Sequence, residues 1–86
     1  MLEKFKAYLI QKGFREFSSN GSPSTAIDYC WRLEKICLHE NITVEKLATD
    51  ISKYLQEYSI SGNKSDIGRR SHFSYYYALR QFRKFV

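Results

Sequence analysis

The sequence predicts an all-α fold, a compact bundle of about four helices. Three observations predict it. Apolar residues recur at helical spacing in four separate stretches. No stretch alternates polar and apolar residues as a half-buried strand does. Only one Pro and four Gly interrupt the 86 residues, so long elements are expected. Hydrophobic residues make up 43% of the chain and aromatics 16%, too much apolar surface for a disordered segment. The length suits one domain over residues 1–86 with one modest core, filled largely by aromatic side chains.

In the first helix, Leu2, Phe5, Tyr8 and Leu9 share a face. Gly13 is placed to end it, and Phe14 to fold back onto Leu9 in a Schellman cap. Phe17 to Ser24, with Gly21 and Pro23, reads as the clearest loop. Pro23 biases Ser22 away from helical geometry, and Ser24 or Thr25 can cap a second helix. There Ala26, Tyr29, Cys30, Leu33, Ile36 and Cys37 form the core face. Ile27, Trp31 and Leu38 form a second apolar stripe beside it. A helix apolar over so wide an arc is expected at the centre of a bundle, which puts Trp31 in the core.

Thr43 can cap a third helix running to about Tyr58, with Leu47, Ile51, Tyr54, Leu55 and Tyr58 buried. On its other side Lys46–Asp50 and Lys53–Glu57 stand at i,i+4 spacing, the pattern of a solvated surface. Ser59 to Arg70 reads as a polar loop rich in basic residues. A last helix is expected from about Ser71 to the end, with Tyr75, Ala78, Leu79, Phe82, Phe85 and Val86 toward the core. Its opposite arc carries Phe73, Tyr76, Tyr77, Arg80, Arg83 and Lys84.

Charge is distributed unevenly. From Met1 to Ile60, eight basic residues face eight acidic ones. From Ser61 to Val86, Lys64, Arg69, Arg70, Arg80, Arg83 and Lys84 face only Asp66, so this segment holds the whole formal net charge of +5. A localised positive field points to a polyanion, nucleic acid before an anionic membrane.

The N-terminus lacks the apolar core of a signal peptide, and no apolar run reaches the roughly 20 residues that span a bilayer. Cys30 and Cys37 on one helix would lie about 10 Å apart, too far for a disulfide. They read as small buried hydrophobes of a reducing compartment, and a cytoplasmic location is expected. There the glycosylation sequon at Asn41 carries no meaning.

Catalytic readings find little support. Cys30, Cys37, His39 and His72 lack the paired close spacings of a zinc site. Ser61-Gly62-Asn63-Lys64-Ser65 lacks the first glycine and preceding strand of a phosphate-binding loop. No Ser/His/Asp or Cys/His set stands out, so no catalytic residue, metal or cofactor is expected. His39 sits among charged residues at a helix end and reads as solvated.

The outer arc of the last helix is the informative feature. Arg80, Arg83 and Lys84 can neutralise phosphates, and Tyr76 and Tyr77 add hydroxyls and apolar bodies between them. Arg69, Arg70, Ser71 and His72 fall at the expected helix start, where backbone N–H groups also favour phosphate.

The chain resembles the SAM-like core-binding domain on the N-terminal side of tyrosine recombinases, the phage integrase family. The matching residues run from Phe5, Tyr8, Leu9 and Gly13 through Ser24-Thr25 with Tyr29 and Leu33. They continue with Ile42-Thr43-Val44-Glu45-Lys46-Leu47, Ile51 and Leu55, and close on Ala78-Leu79-Arg80-Gln81-Phe82-Arg83-Lys84-Phe85. The resemblance implies a SAM-like orthogonal arrangement in which the second and fourth helices face double-stranded DNA. It implies half of a C-shaped clamp, with a catalytic domain C-terminal to this segment and other recombinase protomers as partners. No Tyr here is then the nucleophile. Carried onto matching positions, the DNA contacts are Thr25, Arg32 and Lys35 on the second helix. On the last helix they are Ser71, His72, Tyr76, Arg80, Arg83 and Lys84, and the basic loop adds Lys64, Arg69 and Arg70. The competing expectation is a protein-interaction or accessory module, for which Phe73 and Tyr77 supply the exposed aromatics.

Overall fold

A computed structural model describes residues 1–59 and 74–86. They form five α-helices: α1 (Leu2–Gln11), α2 (Thr25–Glu40), α3 (Val44–Thr49), α4 (Ile51–Glu57) and α5 (Ser74–Phe85). The expected start of the last helix at Ser71 and the basic loop after Ser59 lie outside the described residues. The radius of gyration is 12.4 Å, against about 12 Å for a compact chain of this length.

Two helices end by the same device. Gly13 takes φ +101°, its N–H bonds Ile10 O at 3.0 Å, and the Phe14 N–H bonds Leu9 O at 3.0 Å. This is the Schellman pattern expected from Gly13. At the end of α2 the left-handed residue is Asn41, φ 56°, and the Ile42 N–H reaches Cys37 O at 2.9 Å. The loop before α2 is a miniature hairpin. Phe17 bridges Pro23, and the Asn20 Oδ1 accepts from the Ser22 N–H at 3.1 Å and from the Ser18 hydroxyl.

The single third helix expected from Thr43 to Tyr58 is two short helices meeting at Asp50. Thr43 caps α3 as expected, its Oγ1 accepting from the Lys46 N–H at 3.1 Å. The Thr49 hydroxyl then donates back to Glu45 O at 3.0 Å, and Asp50 leaves helical geometry at φ −105°, ψ 27°. Back-bonding Thr and short polar Asp both offer the backbone an alternative to the helix ladder. The Asp50 carboxylate is held by Lys46 at 2.8 Å, which fixes the corner. The other expected surface pair is replaced: Lys53 stands over the Tyr54 ring, 5.2 Å from its centroid.

α2 is the hub, packing on α1, α3 and α5, with α4 against α5. The buried core draws on the predicted faces: Phe5 and Leu9; Ala26, Cys30, Leu33, Ile36 and Cys37; Leu47; Ile51 and Tyr54; Ala78, Leu79 and Phe82. Phe5 meets Phe82 edge-on at 5.2 Å between centroids, and Phe85 closes the cluster against Phe5 and Tyr8. Cys30 and Cys37 are free and buried, and burial pushes both thiols up.

Two expectations fail at the edges of this core. Trp31 is 51% exposed rather than buried, and Leu38 beside it is 81% exposed. The core arc of α2 is already filled by Ala26, Leu33 and their neighbours, and the second stripe points past the packed helices. Val86, expected in the core, follows the last turn of α5 and is half exposed.

Candidate functional site

The outer face of α5 is set by its own periodicity. With Ala78, Leu79 and Phe82 turned into the core, the intervening positions Tyr76, Arg80, Arg83 and Lys84 turn outward. Arg83 and Lys84 also fall in the last turn, where positive charge offsets the negative end of the helix dipole. Tyr76, Arg80, Arg83 and Lys84 line one open cleft of about 430 Å³ together with Leu55 of α4. Among the described residues, no acidic side chain lines it.

The side chains support one another. The Arg80 guanidinium lies over the Tyr76 ring, 5.8 Å from its centroid, and the Tyr76 and Tyr77 rings stand 5.9 Å apart. Tyr76 is half-buried while Tyr77 is 46% exposed. Arg80 also lies within electrostatic reach of Tyr29 on α2. Burial and the nearby Asp28 raise the Tyr29 phenol, and Arg80 pulls the other way. Cations spaced along one helical face above an apolar floor can hold phosphate oxygens while a sugar or aliphatic surface rests on Leu55.

The predicted contacts on α2 are placed differently. Thr25 is its first residue and is half-buried. Arg32 is committed to its own fold: its Nε is 3.5 Å from Asp28 Oδ1, and its guanidinium covers the Tyr75 ring at 5.0 Å. Lys35 is exposed and lines a small pocket with Ile36, His39, Tyr58 and Tyr75. His39 is exposed, as expected, with its Nε2 3.7 Å from the Glu40 carboxylate. Lys64, Arg69, Arg70, Ser71, His72 and Phe73 lie outside the described residues.

Leu55 is the lining residue that sequence reasoning assigned elsewhere. It was expected in the core and is half-buried at the cleft floor. Its position at the edge of the apolar arc of α4 is the signal that marks it.

Comparison of the chain with protein families, curated proteins and solved structures found no match.

Proposed function

We propose that this chain is a non-catalytic DNA-binding module that grips duplex DNA through the outer face of α5. The observation that carries the reading is the cleft in which Arg80, Arg83 and Lys84 converge with Tyr76 and, among the described residues, no lining carboxylate opposes them. Three cations on three phosphates contribute a slope of about −2.7 in log affinity against log salt. The net positive charge of the last 26 residues strengthens the same field. The resemblance to recombinase core-binding domains makes the module one half of a clamp whose chemistry belongs to a C-terminal catalytic domain. Thr25 and Lys35 can add contacts from α2, and Lys64, Arg69, Arg70, Ser71 and His72 are further contacts on this reading.

An NMR titration with duplex DNA at two salt concentrations tests it. Shifts centred on Tyr76 to Lys84 that weaken steeply with salt are expected. Shifts confined to α3 and α4, or none at low salt, sink the reading. A double charge reversal, Arg80→Glu with Lys84→Glu, should abolish binding. Undiminished binding by that variant would favour the second reading, a protein-interaction module, whose support is the exposed Tyr77 ring beside the cleft.

A further inference from the structure

The apolar stripe of α2, half-buried at Ile27 and exposed at Trp31 and Leu38, is a feature that the DNA reading leaves unused. Ile27, Trp31 and Leu38 recur at spacings of four and seven, so they form a seam about 16 Å long on one side of the helix. Glu34 occupies the remaining position of that seam and is exposed. On the helical wheel the seam lies about 130° round from Arg32, which meets Tyr75 of α5. Trp31 and Leu38 are exposed on that one stripe, two turns apart with Glu34 between them, and an exposed Trp of this kind is enriched at interaction faces.

We infer that this seam packs antiparallel against the same seam of a second copy of the chain. The argument for that occupant is self-complementarity. When two α2 helices are placed antiparallel about a two-fold axis between Arg32 and Leu33, Ile27 of each faces Leu38 of the other. Trp31 of each faces Glu34 of the other, so an indole N–H donor meets a carboxylate acceptor twice. Along one flank Asp28 of each copy comes beside Lys35 of the other, again twice. Asp28 keeps 41% of its side chain exposed beside Arg32, which leaves it free to take a second cation. The apolar layers and both charged pairs are therefore matched by one symmetry operation, the requirement for a two-fold interface. A groove of about 410 Å³ beside Leu38, walled by Glu34, Asn41, Ile42 and Val44, receives Ile27 of the second copy. Three turns of one helix bury less than the roughly 800 Å² per partner of a standard interface, so the dimer is weak and concentration-dependent.

Sedimentation velocity of the full chain from about 10 µM to about 1 mM spans the affinities of such weak complexes. The wild type should move from monomer toward dimer. Because Trp31 is the only Trp, its fluorescence should shift to the blue in step. Trp31→Lys should weaken association about thirtyfold, as removal of an interface anchor does. Asp28→Lys and Lys35→Asp should each be monomeric alone and should associate when mixed, because the mixture restores both charge pairs. Circular dichroism shows whether each variant is folded. A wild type that stays monomeric throughout overturns the inference. So does a dimer unaffected by Trp31→Lys, or a folded mixture of the two reversals that remains monomeric.

Discussion

The Arg32 guanidinium lies over the Tyr75 ring, 5.0 Å from its centroid, and ties α2 to α5. Asp28 one turn earlier holds the same side chain through its Nε, 3.5 Å from the Asp28 Oδ1. A cation with two partners inside its own fold has little left to offer a phosphate.

Arg32→Ala should therefore act on stability. Loss of the stacked cation costs about 0.5–1 kcal/mol at a partly exposed site. The urea midpoint should fall accordingly, while affinity for duplex DNA at fixed salt stays near the wild-type value. A drop in affinity as large as that of Arg83→Ala, with no loss of stability, would return Arg32 to the interface.

Arg83→Ala should show the opposite pattern. Its side chain lines the open cleft and is exposed. Removing one phosphate contact lowers the salt dependence of binding by about 0.9 in log–log slope. Lys46→Ala serves as the comparison, since the Lys46 ammonium is engaged by Asp50 at 2.8 Å. Fluorescence anisotropy at several salt concentrations separates the two; equal slopes for Arg83→Ala and Lys46→Ala would remove Arg83 from the interface.

These contrasts mark what the sequence could and could not reveal. The core faces were legible because helical periodicity depends only on residue order, and Phe5, Leu33, Leu47, Leu79 and Phe82 are buried where that order puts them. The outward turn of Arg80, Arg83 and Lys84 follows from the same periodicity. Trp31 was misread because the width of an apolar arc does not say how many helices are available to cover it. The stacking of Arg32 was not legible because its aromatic partner, Tyr75, is more than forty residues away in sequence. The break at Asp50 arises from a side-chain bond of Thr49 and an ion pair to Lys46, local choices that a hydrophobic pattern does not register.

Thr43→Ala tests the corner between α2 and α3. The Thr43 Oγ1 satisfies the Lys46 N–H at the start of α3, and nothing in Ala replaces it. The expected loss is about 1 kcal/mol. Thr43→Ser keeps the acceptor and should recover most of that loss in urea unfolding. If Ser is no better than Ala, the cap contributes nothing.

Tyr58 gives the fold an alkaline limit. Its ring is buried to 1% exposure and its hydroxyl donates to Glu40 Oε2 at 3.3 Å. Burial first, then the Glu40 carboxylate, holds the phenol well above its ordinary value. In the unfolded chain it titrates near an ordinary pKa of about 10. The folded protein thus keeps a proton that the unfolded chain gives up. Stability from this group is fully present below about pH 10 and is lost as the pH rises above it. Tyr58→Phe removes that proton from both states. It should cost about 1 kcal/mol at neutral pH for the missing hydrogen bond. It should also flatten the decline of stability above about pH 10. Urea midpoints of the two proteins on either side of that pH decide the matter. Parallel declines would mean that Tyr58 ionises no less readily in the fold than in the open chain.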